Sequence, residues 1–101
     1  MLMMTINVKF VGALRHITNK SEMVIIIIDC LPDFSVKDLI QKILIDIPEM
    51  KTNIIHQQSY GDVKINSLII VNDREISVLN GLDTLLADGD EVVFIPVVHG
   101  G

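Results

Sequence analysis

The sequence has no tryptophan, one tyrosine and one cysteine among its 101 residues. A lone cysteine excludes an internal disulfide, so the fold must rest on its core, as suits a cytoplasmic protein. The longest apolar run, Met23 to Ile28, falls far below membrane-spanning length. The opening Met1-Leu2-Met3-Met4 lacks the basic flank and apolar region of a secretory signal, and Met3 or Met4 would serve equally as a start. Basic side chains are scarce: eight against thirteen acidic ones give a net charge of −5. That sign opposes phosphate binding, and Arg15-His16 makes no cationic stripe, so nucleic acid is not an expected partner.

The usual catalytic groupings are missing too. His16, His56 and His99 are scattered without a second ligand three or four residues away, which argues against zinc. Cys30 closes an apolar strand, where a small buried side chain is the ordinary role. Ser35 is explained by helix capping, and Gly81 and Gly89 are isolated turn glycines rather than a phosphate loop. Asp83 and Asp88 form an acid and base pair only on paper, since both sit where turns favour Asp. Asp83, Asp88, Asp90 and Glu91 crowd one segment, which favours a basic protein surface as partner; taken singly, each also reads as a solvated turn residue.

Against these absences stands the segment Asp88 to Gly101. Asp88, Gly89 and Asp90 form a turn, Val92 to Ile95 is β-prone, and Pro96 cannot donate to a sheet ladder, so the strand ends there. Val97, Val98 and His99 then lead to Gly100 and Gly101, a backbone without side chains that ends in an ionised carboxylate. Such a tail fits a slot too narrow for other residues, although a frayed terminus is the commoner use of terminal residues. Half the residues are hydrophobic, and length and composition predict one domain over 1–96 with a flexible tail over 97–101.

Earlier in the chain, Ile6, Val8 and Phe10 alternate with polar residues in a strand from Thr5 to Val11, which Gly12 ends. Met23 to Ile28 forms a second strand. Ser35 to Ile47 is a helix: Ser35 and Asp38 have capping-box spacing, Phe34 and Leu39 staple spacing, and Val36, Leu39, Ile40, Ile43 and Ile47 share one face. Pro48 stops it, with a short helix expected over Glu49 to His56, Met50 and Ile54 inward. Gln57 to Asn66 reads as a loop, Ser67 to Val71 and Glu75 to Leu79 as strands joined by a tight Asn72-Asp73 turn, and Asn80 to Ala87 as a turn pinned by Leu82, Leu85 and Leu86. The apolarity of Val92 to Ile95 on both faces predicts a central strand, flanked on both sides.

Two strands are apolar on both faces, Val24 to Ile28 and Val92 to Ile95, whereas one helix covers one face of a sheet. Either the short helix and loops wrap the second face, or an apolar patch is left for a partner; the pattern alone leaves both open.

The element order, the block Asn80-Gly81-Leu82-Asp83-Thr84, the turn Asp88-Gly89-Asp90-Glu91, Pro96 and the final Gly100-Gly101 together resemble the β-grasp (ubiquitin-like) sulfur-carrier family, whose branches include MoaD, ThiS, the ubiquitin-related modifier and the archaeal small modifiers. The resemblance implies an α+β fold, a mixed sheet of about five strands on one main helix, with the last strand beside the first and parallel to it. It implies that Gly101 is adenylated at its carboxylate by a ubiquitin-activating-type adenylyltransferase using ATP and then converted to a thiocarboxylate, with Gly100, His99, Val98 and Val97 threading a partner's channel. It implies that this chain binds no cofactor or metal and that catalysis comes from its partners. These are the adenylyltransferase, a larger synthase subunit or sulfurtransferase, and, if it also acts as a modifier, lysines of target proteins. Phe94, Val92, Pro96, Asp88 and Asp90 are the expected partner interface. The first pathway expected is molybdopterin synthesis, as its small synthase subunit. Lysine conjugation, tRNA thiolation and thiamine synthesis are alternatives, and a binding module without tail chemistry a further one. The single Pro96 with Val97 and Val98 departs from the Pro-Pro-Val-x-Gly-Gly tail of MoaD-like chains, and His99 resembles the tail of the ubiquitin-related modifier.

Overall fold

Alternation along the first strand decides which way the sheet faces. Residues 3–12, 22–28, 33–50, 55–57, 63–65 and 67–97 are described in a computed structural model of the chain. In β1 (Met3–Phe10), Met4, Ile6, Val8 and Phe10 are buried and the residues between them are not. β2 (Glu22–Ile28) pairs antiparallel with β1, Ile25 lying opposite Ile6.

Helix α1 (Val36–Asp46) follows, with Ser35 as its cap. The Ser35 hydroxyl accepts from the Asp38 amide at 3.3 Å, and an Asp38 carboxylate oxygen accepts from the Ser35 amide at 3.0 Å, so the expected capping box is present. Val36, Leu39, Ile40 and Ile43 are buried, with Phe34 and Ile47 packed at the margin. Where a longer second helix was expected, one 3₁₀ turn, Pro48–Met50, buries Met50. Ile55–Gln57 (β3) pairs antiparallel with Val63–Ile65 (β4), which corrects both the helix expected to His56 and the loop expected over 57–66. The β-branched Ile55, Val63 and Ile65 favour extended backbone once a partner strand lies opposite; Ile54 lies outside the described residues.

β5 (Ser67–Val71) turns through Asn72 and Asp73, at φ 48° and 71°, into β6 (Arg74–Glu75). Both left-handed conformations belong to a tight hairpin, and Asn and Asp tolerate them without glycine. The strand expected to Leu79 stops at Glu75: its carboxylate caps the Ser77 amide, and Ile76–Val78 coils as a 3₁₀ turn that buries Ile76. A third 3₁₀ turn spans Gly81–Asp83, and β7 (Glu91–Pro96) completes the main sheet. Of the leucines expected to pin this region, Leu86 is buried, Leu82 packs at the core margin, and Leu85 is exposed.

The five-stranded order is β2-β1-β7-β5-β6, with β7 central, parallel to β1 and antiparallel to β5. Among the described residues one α-helix packs on this mixed sheet, the β-grasp architecture expected. β7 carries Val92 and Phe94 into the core beside Val8, Phe10, Ile69 and Leu39.

Candidate functional site

The blocks that carried the resemblance place β7, and with it the point where the chain leaves the sheet. In Asn80 to Thr84, the buried Thr84 hydroxyl accepts from the Asn80 amide at 3.0 Å and the Thr84 amide donates to the Gly81 carbonyl at 3.1 Å. The Thr84 carbonyl in turn accepts from the Val36 amide, and the Leu86 amide donates to the Phe34 carbonyl, joining this turn to the start of α1.

The Asp88 to Glu91 turn works from the other side. An Asp88 carboxylate oxygen accepts from the Thr5 amide at 2.7 Å, and the Gly89 amide donates to the Thr5 carbonyl at 2.7 Å. Gly89 stands at φ +86°, a left-handed conformation that Gly adopts freely. The two Asp90 carboxylate oxygens accept from the Ala87 amide and from the Asn72 side chain, and Glu91 and Asn72 exchange a pair of backbone and side-chain bonds. Asp88 and Asp90 thus spend their acceptors on seating β7 between β1 and the β5–β6 turn.

The surface role expected of Val92 and Phe94 is corrected. Both are 0% exposed, facing α1, because β7 shares the phase in which Ile6, Val8 and Phe10 point inward. The open face of β7 carries Val93 and Ile95, both half-buried, and β5 adds Ile70 and Leu68, which is 45% exposed. Ile95 lies opposite Leu68 and Val93 opposite Ile70. On the far side of the sheet, Met3, Val24 and Ile26 are each more than half exposed. Of the two ways to treat the apolar second face, the exposure of Met3, Val24, Ile26 and Leu68 favours the open patch among the described residues. The phase of β1 was the signal for this face: once Phe10 points inward, parallel pairing sends Phe94 inward with it.

Between the two apolar groups, Lys9 Nζ lies 3.1 Å from a Glu91 oxygen and 3.8 Å from a Glu22 oxygen, bridging three strands. The hydrogen bond to Glu91, aided by the charges of Glu91 and Glu22, raises the Lys9 pKa. The face is therefore apolar at two corners, with a paired charge cluster between.

Pro96 is half-buried at the end of β7, between Ser67 of β5 and Gly12 beyond β1, and Val97 after it is exposed. Val98, His99, Gly100 and Gly101 lie outside the described residues, as do His16 and Cys30. Among the described residues no group of His, Cys, Asp or Glu is arranged to hold a metal. No described helix is long and apolar enough to cross a membrane.

Comparison with known proteins gives this geometry its setting. A family model described as Urm1 (Ubiquitin related modifier) matches residues 5–101. Ubiquitin-related modifier 1 of Schizosaccharomyces pombe is 30% identical over 100 residues, covering 97% of this chain and all of that protein. The small archaeal modifier protein 1 of Methanosarcina acetivorans superposes with a TM-score of 0.79 at 26% identity, over the whole of both chains. A putative molybdopterin converting factor subunit 1 from Pyrococcus furiosus gives a TM-score of 0.70 at 25% identity, covering 94% of this chain and 99% of that one.

Proposed function

The chain belongs to the ubiquitin-related modifier family, and from that premise we propose that it is a sulfur carrier and protein modifier whose reacting group is the Gly101 carboxylate. The observation that carries this reading is the seat of β7. A central strand, fixed on both sides and by two turns, ends at Pro96 and releases an exposed Val97 toward a sequence that closes in Gly100-Gly101.

A carboxylate does not react with sulfur nucleophiles until it carries a leaving group. In the proposed sequence a Gly101 carboxylate oxygen attacks the α-phosphorus of ATP and pyrophosphate leaves. A sulfur nucleophile then adds to the acyl-adenylate carbonyl and AMP leaves. Sulfide gives the thiocarboxylate directly; a donor persulfide requires a thiol to cleave the S–S bond afterwards. An amine of a target lysine in place of sulfur gives an isopeptide bond. The stabilisation of these charges falls to an activating partner of the ubiquitin-activating type, which binds the ATP.

The family match and the His99-Gly100-Gly101 ending favour tRNA thiolation and lysine conjugation over the molybdopterin synthase subunit first expected. The test is intact-mass spectrometry after incubation with an activating enzyme, ATP and a sulfur donor. Exchange of one oxygen for sulfur, mapped to Gly101, supports the reading. An unchanged mass with every activating enzyme of this class overturns it. A variant with one residue added after Gly101 should remain unmodified while keeping wild-type stability, since the reacting carbon is displaced and the core untouched.

A further inference from the structure

We propose that Gly12 is a positioning residue for the tail: with Ser67 it forms a seat for the Pro96 ring that fixes the direction in which residues 97 onward leave the sheet. The β1–β7 register runs to Phe10 opposite Phe94, and the Val11 amide donates to the Phe94 carbonyl at 3.2 Å. Two residues further along each strand, Gly12 meets Pro96. Gly12 stands at φ +63°, and a Cβ added there would lie 3.3 Å from Pro96 Cγ and 3.7 Å from Cδ. On the other side Pro96 pairs with Ser67, a small buried residue. The pyrrolidine ring holds φ near −65° and cannot rotate away from a neighbour. A side chain at Gly12 therefore presses on the Pro96 ring and asks it to give by a few tenths of an ångström, at the point where the chain leaves the sheet.

Neither neighbour of Pro96 is needed to bury apolar area, and both are small. That is what a seat for a rigid ring requires. This inference rests on the proposed carrier role for its consequence, because a redirected tail delivers Gly101 away from the partner's reaction centre while the docking face is unchanged. The shift asked of Pro96 is a few tenths of an ångström; carried along the tail, it need reach only about 1 Å at the reacting carbon to lower a rate by one to two orders of magnitude.

The experiment combines Gly12→Ala, Pro96→Ala and the double variant, with Gly12→Asn, which tolerates positive φ, as the alternative should Gly12→Ala fold poorly. Gly12→Ala is expected to lower kcat for adenylation about tenfold with KM within about twofold of wild type. In the Pro96→Ala background, where Cγ and Cδ are gone, the same substitution should cost less than about twofold. Equal losses in both backgrounds, or a loss in KM instead of kcat, overturn the proposal. Residual dipolar couplings of the Val97 amide, wild type against Gly12→Ala, give a reading without any partner. They should change at Val97 while those of β1 and β7 stay fixed. If wild-type protein is never adenylated, the carrier role fails and these couplings still decide the seat. Unchanged Val97 couplings overturn the seat whatever the kinetics.

Discussion

The rings of Phe10 and Phe94 stack 5.7 Å apart, 23° from parallel, across the parallel pair of β1 and β7. Both are essentially inaccessible to solvent, so the stack joins the two strands whose ends meet where the tail departs. Replacing Phe94 by alanine removes the stack and opens a cavity beneath α1. The expected cost is about 3–5 kcal/mol of stability by chemical denaturation, against about 0.5 or less for an exposed surface position. A surface-sized loss would mean that Phe94 is not held in the core.

Ser35 tests the other end of the assembly, where the helix cap adjoins the Thr84 to Leu86 segment. Ser35→Ala removes the hydroxyl that accepts from the Asp38 amide, and the helix start should lose about 1 kcal/mol. Amide hydrogen exchange should quicken in the first turn of α1 before it does in β1. Uniform protection across the variant would show that the tie through Thr84 alone fixes the helix start.

Lys9 supplies a pH dependence with a definite sign. Its pKa is raised above the ordinary 10.5, chiefly by the hydrogen bond to Glu91, so the folded state holds the proton more tightly than the unfolded one. The contribution is complete below the unfolded value and is lost as pH rises through the folded one. The melting temperature of wild type should thus exceed that of Lys9→Met at neutral pH, by a margin that salt reduces. The margin should shrink as pH passes 10.5. A margin that stays constant into the alkaline range would show that the aliphatic stem, and not the charge, does the stabilising.

What the sequence made legible follows from how local each signal is. Ser35, Asp38 and the 3.6-residue spacing from Val36 to Ile43 specify the helix within a dozen residues. The alternation Ile6-Val8-Phe10 likewise contains its own answer. The central placement of Val92 to Ile95 was readable because a strand apolar on both faces belongs in the middle of a sheet, whereas its parallel direction beside β1 came only with the β-grasp resemblance. Which of those faces meets the helix was not readable locally, since Val92 and Phe94 are as apolar as Val93 and Ile95, and only pairing with β1 decides. The β3–β4 hairpin escaped for a related reason: Ile55–Gln57 and Val63–Ile65 are three-residue strands whose extended form depends on a partner across a polar connection. The seat at Gly12 needed two residues far apart in sequence to be seen side by side.

The open face yields the prediction that bears most directly on how partners bind. Leu68 lies opposite Ile95, one residue before Pro96, where β7 ends. Ile26 lies opposite Thr5, toward the other end of β1, with the Lys9, Glu22 and Glu91 cluster between. On the proposed carrier reading, an activating enzyme that takes up Gly101 would cover the surface nearest to Pro96. Leu68→Lys should therefore raise KM for adenylation about tenfold, the equivalent of about 1.4 kcal/mol of lost binding, with kcat and thermal stability near wild type. Ile26→Lys should leave KM near wild type if docking is confined to the tail-side corner, and should raise it equally if the partner spans the whole face. If neither substitution moves KM, the sheet face is not the docking surface, and recognition must come from the tail itself or from the helix side.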